Sequence, residues 1–330
     1  MKFFVQNGYL AYHSTTNTVL GIISSAKQQD TMNHTPPMID GICASRLYLE
    51  KLPTPPSTIF AFLCQKFPHI APQQWQERFY QGLVLGHDFV ALHIHSPYHH
   101  GQTIYYYREV VDEVVVPFEH HIIFENTDIM VVDKPHFLTV SPAGEYVKQT
   151  LLTRLKHETG NPDLSPIHRL DRETAGLILI SKNPATRHLY QALFAKRTIT
   201  KTYHAIAPFD KNLITPLDIN LHLERGEPFY TMRVNPDKTP NTHTHLSLLD
   251  VKAEFAKYEL RPTTGKLHQL RVHLHHLGIP IKNDPYYPQI CHKAKADFGQ
   301  PLQLLAHALA FVDPINGTDY FFQSKQTLVL

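Results

Sequence analysis

AGLILISK (Ala175–Lys182) is the segment that most limits how this chain can fold. Six apolar residues in a row, too few for a helix and closed by Ser-Lys, read as a fully apolar strand, and such a strand is a buried one. The residues leading into it are the opposite. In PIHRLDRETAGLILI (Pro166–Ile180) a histidine, two arginines, an aspartate and a glutamate crowd the approach to the strand. Charge that dense is either a solvated turn or a place where chemistry happens. For an aspartate taken alone, the solvated turn is the better reading.

The neighbouring segments set the fold class. IMVVDKPHFLTVSP (Ile129–Pro142) reads as a strand, a Lys-Pro turn and a second strand, and QTLLTRLKHETG (Gln149–Gly160) as an amphipathic helix closed by glycine. PATRHLYQALFAKR reads as a helix with proline at its start and basic residues in its last turn, as the helix dipole prefers. KTYHAIAPF, THTHLSLLDVK and AEFAKYELRP read as strands, KLHQLRVHLHHLG as a helix, and LLAHALAFVDP with YFFQSK as a closing pair. Strands and helices in no regular repeat predict an α+β domain with a mixed, mostly antiparallel sheet flanked by helices. Upstream, residues 1 to about 37 are polar and read as a loosely ordered arm, or as an extension ahead of the true start at Met32 or Met38. After the spacer LPTPPS, the spacing of Ile59, Phe62 and Leu63 predicts a helix behind a Ser/Thr cap. Trp75 and Phe79 predict a second helix, ending at Gly82, and VLGHDFVAL a strand, within a helix, helix, strand, strand unit ending near Tyr107.

Composition narrows the function classes. The chain has 330 residues, 42% of them hydrophobic, enough for one large domain with appendages or two to three small ones. Lys and Arg number 31 against 29 Asp and Glu, so net charge alone argues only weakly for a polyanionic partner. The local balance differs: from Pro166 to Ile206 there are seven Lys/Arg and two acids, a basic surround for the charged turn. Cys43, Cys64 and Cys291 form no CxxC pair and read as reduced thiols. No signal-peptide core or membrane-length apolar run occurs, so a soluble, cytoplasmic protein without a membrane partner is expected. The 24 histidines are the one oddity that points toward a metal.

Two further segments bear on Asp171. In TTGKLHQLRVHLHHLG (Thr263–Gly278) the leucines 267, 270, 274 and 277 form one buried stripe, with His268, Arg271 and His275 on adjoining surface. An arginine beside a core stripe is well placed to pair with a carboxylate across a cleft. In KTYHAIA (Lys201–Ala207) alternation puts Tyr203 on one face with Ala205 and Ala207, small neighbours that leave room for a flat ligand.

These stretches resemble the RluA-type RNA pseudouridine synthase family. HRLDRETAGL is similar to its H-R-L-D-x-x-T-[SA]-G-[LV] signature, and TGKLHQLRVHLHHLGIPIKNDPYY to its T-G-[RK]-x-H-Q-[IL]-R-x-H-x-x-x-x-G-x-P-[IL]-x-x-D-x-x-Y block. VVDKPHFLTVSP resembles the V-x-[ND]-K-P-x-G-L-x-V-x-P motif, KTYHAIA the K-x-Y-x-A strand, and LLAHALAFVDP the closing L-H-A-x-x-L-x-F-x-H-P. The five run in the family's order from about Phe118 onward. Phe137 stands where glycine is usual, Lys266 where arginine is commoner, and Asp313 where histidine precedes Pro314. Residues 57 to 107 resemble, more faintly, a small αL-type RNA-binding module, with Gln73, Gln74 and Gln76 where basic residues are expected. The implied organisation is an N-terminal arm over 1–56, partly disordered, a degenerate αL-like module over 57–110, and a catalytic domain over 111–330.

The resemblance implies an isomerase that turns uridine into pseudouridine in ribosomal or transfer RNA, with no metal, nucleotide or other cofactor, and a monomer is expected. Asp171 would be the nucleophile, acting at the sugar or on the uracil ring, and the sequence leaves these routes open. Arg271 would hold the aspartate, and its replacement by alanine is expected to abolish turnover with folding intact. Tyr203 would stack beneath the flipped base and move a proton late in the reaction. Arg169 would either fill the space left by the base or form a plain salt bridge. Arg172, Lys201, Lys266 and His268 complete the expected RNA-binding set, while His168 and Glu173 are expected to hydrogen-bond within the loop.

Two other classes compete. A metallohydrolase is suggested by LHIHSPYHH (Leu92–His100) and HLHH (His273–His276), but these lie in separate modules without acidic partners. A non-catalytic RNA-binding or assembly protein on the same fold would have no need of Asp171, Tyr203 and Arg271 together.

Overall fold

The computed structural model describes residues 35–109 and 112–330. The chain divides into two units, 1–109 and 110–330. Most of the expected arm, residues 1–34, lies outside the described residues.

In the first unit, strand β1 (Ser45–Tyr48) is followed by helices α1 (Ile59–Lys66) and α2 (Pro72–Tyr80) and by strands β2 (Val84–Leu85) and β3 (Thr103–Tyr106). Thr58 caps α1 by accepting the Ala61 amide at 3.1 Å. Ile59, Phe62, Leu63, Trp75 and Phe79 meet in one core. Two expectations differ from what forms. Ser45–Tyr48, read as part of the arm, pairs with β3 and gives a three-stranded sheet in the order β1-β3-β2. VLGHDFVAL yields only the two-residue β2, because Gly86 turns the chain and its amide bonds Val90.

The second unit is built on a ten-stranded sheet. In chain order it contributes β4 (His121–Glu125), β5 (Ile129–Lys134), α3 (Leu151–Thr159), β6 (Ser165–Pro166), β7 (Ala175–Ser181), α4 (Arg187–Ala195) and β8 (Thr200–Pro208). There follow β9 (Leu217–Leu221), β10 (Leu223–Arg225), β11 (Met232–Val234), β12 (Thr242–Lys252), β13 (Phe255–Pro262), α5 (Gln269–His276), β14 (Leu304–Val312) and β15 (Asp319–Gln323). The main path runs β4-β5-β7-β14-β8-β13-β12-β9, with β6 beside β7 and β15 beside β14, while β10 and β11 form a separate hairpin. Only the β7–β14 pairing within this sheet is parallel, so it is a mixed, mostly antiparallel sheet in an α+β unit.

All seven residues of β7 are buried, and strand alternation sends them to two cores. Ile178 and Ile180 pack with Leu151 and Leu155 of α3, whereas Leu177 and Leu179 pack with Tyr190 of α4 and Phe311. Each such side chain taken from water contributes about 1.5–3 kcal/mol, which makes this the fixed centre of the unit. A third core, under Leu270 and Leu274 of α5, covers β8, β12 and β13. At Gly176, φ is +107°, and a β-carbon there would stand 2.3 Å from the Ala306 carbonyl oxygen. Glycine is what lets β14 approach β7 beside the charged turn.

The expected second strand after Lys134 is absent. The carbonyls of Thr139 and Val140 accept the amides of Leu151 and Leu152 at 2.8 and 2.9 Å, so they satisfy the start of α3 and not a ladder. The helix expected over KLHQLRVHLHHLG starts only at Gln269, because His268 is left-handed (φ 52°). In α4 the proline lies ahead of the helix and Lys196 and Arg197 just beyond it, since Arg197 is also left-handed (φ 58°).

Candidate active site

The charged turn is tied down at both ends. Ile167 donates to the Leu179 carbonyl at 2.9 Å, and the Leu179 amide donates to Nε2 of His168 at 3.0 Å, the imidazole standing in for a missing strand. His168 also stacks on Phe194 at 4.6 Å, and exclusion of water pulls its pKa down to about 3, which keeps it the neutral acceptor this role requires. Leu170 is buried, and a turn from Asp171 to Thr174 closes with a 3.1 Å hydrogen bond.

A lysine beneath the loop does the remaining work. Lys134, fully buried at the end of β5, donates to the carbonyls of Pro135 and Leu138 at 2.9 Å and of Arg172 at 3.3 Å. It thereby joins the Lys-Pro turn to the residue after Asp171, and its burial lowers its pKa to about 7. His136 Nδ1 adds a 2.7 Å contact with the Glu173 carbonyl.

The Asp171 side chain, 19% exposed, stands between two adjoining pockets. Its Oδ2 lies 3.4 Å from Nη1 of Arg271 and 3.7 Å from Nε2 of His268. Tyr203 lines the same pocket from β8, half-buried against both the α3 and the α5 cores. Burial first, and the Asp171 charge second, raise its pKa, so the phenol keeps its proton.

Arg271 is not at a helix edge, as expected, but 1% exposed beneath the site. Its strong partner is Asp284, which sequence reasoning missed: Nε donates to Oδ2 at 2.7 Å and Nη2 to Oδ1 at 2.6 Å. Asp284 also accepts the amides of Tyr286 and Tyr287. Tyr286 and Tyr287 cover the guanidinium at 4.8 and 5.4 Å. Asp171 therefore takes only the outermost nitrogen of a guanidinium already fixed by a forked pair. Removal of Arg271 would strand a buried carboxylate, so its alanine variant is not expected to leave the fold intact, contrary to the expectation from sequence. Asp284 was present in the KNDPYY end of the quoted block, where an acid followed by two tyrosines was the available signal.

The remaining predicted residues divide. Arg169 is 74% exposed and 3.9 Å from Asp171, a long and solvent-screened pair that leaves the guanidinium able to move. Lys201 and Lys266 line the Tyr203 pocket, and Lys201 donates to the Thr264 carbonyl at 3.0 Å. Burial brings the Lys201 pKa down to about 8. His268 is buried, with Nδ1 2.9 Å from the Tyr287 hydroxyl and a pKa lowered to about 4 by burial and then by Arg271. Arg172 points away from this pocket. It pairs with Glu173 at 2.5 Å and lies over Phe137 and Tyr146 at 5.7 and 5.2 Å. Phe137, at the position usual for glycine, adopts the left-handed φ of 65° that glycine would take freely, and it is held by contacts with Phe118 and Phe298. Asp313 anchors α4 by accepting from the Tyr190 hydroxyl at 3.1 Å.

In HLHH the histidines have other partners. His273 is buried with Nε2 2.9 Å from the Thr242 hydroxyl, and His275 stacks near Tyr287. Among the described residues, no three His, Cys, Asp or Glu side chains gather as a metal site, and no helix is long and apolar enough to cross a membrane.

The family described as RNA pseudouridylate synthase matches residues 128–276, which span the charged turn, Tyr203 and Arg271. The chain is 30% identical to "Uncharacterized RNA pseudouridine synthase slr1592" of Synechocystis sp., over 68% of this chain and 78% of the relative. It is 34% identical to "Ribosomal large subunit pseudouridine synthase D" of Yersinia pestis, over 50% of this chain and 52% of the relative. It is 31% identical to "tRNA pseudouridine(32) synthase, mitochondrial" of Saccharomyces cerevisiae, over 50% and 36%. The structure titled "Human RNA Pseudouridylate Synthase Domain Containing 1" shares the fold, with a TM-score of 0.52 at 23% identity over 63% of this chain and 84% of that one. The chain belongs to the RNA pseudouridine synthase family, isomerases that convert uridine to pseudouridine in RNA.

Proposed function

We propose that Asp171 is the nucleophile of this RNA pseudouridine synthase and that Tyr203 and Arg271 complete its catalytic set. The observation that carries this reading is the 3.4 Å approach of Asp171 to a buried, already paired Arg271 at the floor of the pocket that Tyr203 lines. The reaction breaks the bond from the sugar to N1, turns the uracil and joins its C5 to the sugar; C5 gives up its proton to water and N1 takes one up, so the product is an isomer. Asp171 acts at the sugar carbon or on the uracil ring. A carboxylate held by a guanidinium that cannot rotate is oriented before the substrate arrives. The protonated phenol of Tyr203 lies beside the base position, where it stacks and can give or take a proton.

The target uridine must leave its stack, which costs about a few kcal/mol. The exposed Arg169 is the group free to enter the gap, while Lys201, Lys266 and His268 line the wall the nucleotide passes. The substrate is ribosomal or transfer RNA, a reading supported by the names of two relatives. The enzyme acts as a monomer in the cytoplasm. Residues 57–110 serve as a weak RNA-binding module, since the helix there exposes Gln73 and Gln74 where basic side chains would strengthen binding.

Tritium release from cellular RNA labelled at uracil C5 tests the catalytic set. Wild-type protein releases tritium and Asp171→Asn does not. Release unaffected by Asp171→Asn would show that another group is the nucleophile, and no release by the wild type on any RNA would favour a binding role.

A further inference from the structure

The loop that carries Asp171 has a second side. Beyond Arg172 and Glu173 lies a trough lined by Tyr146, Tyr230, Tyr286 and Lys293 that belongs to neither the Tyr203 pocket nor the catalytic pair. We propose that this trough holds a base of the same RNA strand adjacent to the target uridine, on the far side of Asp171 from Tyr203. The proposal rests on the reading of Asp171 as the reacting group.

Three observations support it. First, the trough is continuous with the site, because Arg172, Glu173 and Tyr286 line both it and the pocket beside Asp171. Tyr286 lies over the Arg271 guanidinium on one side and meets Tyr230 at 5.5 Å on the other, so the aromatic surface extends from the ion pair outward. A strand whose target base enters the Tyr203 pocket brings its neighbour to that surface, and base–aromatic stacking accepts any base.

Second, cations along it are engaged: Arg172 is paired with Glu173, and Lys293 donates to the Gln300 carbonyl at 2.9 Å. The three tyrosine rings are the surface left to a ligand, and they suit a base. Third, its mouth is bridged by Lys295 and Glu145, 2.6 Å apart, from loops far separated in sequence. Both side chains are more than 60% exposed, and such pairs exchange partners at little cost. A backbone phosphate arriving with the base takes Lys295 from Glu145, so the bridge yields as the RNA seats.

Fluorescence anisotropy of labelled oligouridine, titrated with protein over a range of salt, tests this. Tyr230→Ala is expected to weaken binding on the order of tenfold, and Tyr230→Phe to preserve it, since the ring and not the hydroxyl does the stacking. Glu145→Gln is expected to tighten binding, because Lys295 no longer has to leave an ion pair, while the log–log salt slope stays as in wild type, the same phosphate contact being made in both. Wild-type protein that does not bind oligouridine, Tyr230→Ala that binds as tightly as wild type, or Glu145→Gln with unchanged affinity would each overturn the proposal. Tritium release by Asp171→Asn reads the nucleophile, whereas oligouridine binding by Tyr230→Ala reads the trough. A wrong nucleophile and a wrong trough thus read out separately.

Discussion

Replacing Asp284 by alanine removes the anion that makes Arg271 tolerable where it is. The guanidinium is 1% exposed, and two of its nitrogens donate to Asp284 at 2.7 and 2.6 Å. After the change its remaining anionic contact among the described residues is Asp171 at 3.4 Å. Breaking one side of a buried pair costs about 3–5 kcal/mol. Loss of the acceptor for the Tyr286 and Tyr287 amides puts the expectation at the upper end of that range. Against a total of about 5–15 kcal/mol for a domain, this is a large fraction. Trp75 is the only tryptophan and lies in the first unit, so its fluorescence would report on the wrong part of the chain. Amide hydrogen exchange of Ala175–Ser181 reads the catalytic unit, and its protection should fall by the full amount. The double change Arg271→Met with Asp284→Leu removes both charges and should recover most of the stability while remaining inactive. Unchanged exchange in Asp284→Ala, or a double variant as unstable as the single one, would refute the reasoning.

Acid should weaken the fold over a defined range. Exclusion of water lowers the pKa values of His136, His204, His268 and His273 to about 4 and that of His168 to about 3. Unfolded histidine titrates near ~6.5, so between there and about 4 the unfolded chain binds more protons and stability falls as pH falls. Urea unfolding across this range should show the decline, made shallower by up to about 1.4 kcal/mol per pH unit in His168→Gln. Stability independent of pH there would contradict it. Phe137→Gly relieves a left-handed backbone worth about 1–2 kcal/mol but removes a buried ring worth about 3–5. A net loss of about 1–4 kcal/mol in urea unfolding follows, and stabilisation would show that the ring contributes little. Gly176→Ala forces a β-carbon against the Ala306 carbonyl and should leave no soluble folded protein; a folded, active variant would mean that the strands need not approach so closely.

The centre of this fold was readable because β7 admits one interpretation: six apolar residues have to be covered on both sides, and they are. Helix α3 declared itself by its amphipathic spacing and its closing glycine, Gly160, which sits in a left-handed turn. Ser45–Tyr48 and Leu217–Leu221 escaped because both are short sheet-edge strands with half-exposed alternation, which resembles any polar loop. Phe137–Pro142 misled in the other direction. Its apolar residues do face the core, but its carbonyls serve Lys134 and the start of α3, and pattern cannot report where a carbonyl points. The same limit applies at the site. Asp171 and Arg271 stood out by residue type, whereas the hydrogen-bonding shell of Lys134 and Asp284 behind them depends on tertiary approach across long separations in sequence.

Under the proposed function Asp171, set against Arg271 and Tyr203, makes pseudouridine in the RNA of the cell. Mapping pseudouridines at single-nucleotide resolution in a strain lacking this gene, complemented with wild type or with Asp171→Asn, tests it directly. One or more ribosomal or transfer RNA positions are expected to lose the modification on deletion, regain it with wild type and stay unmodified with Asp171→Asn. Restoration by the Asp171→Asn variant would contradict it.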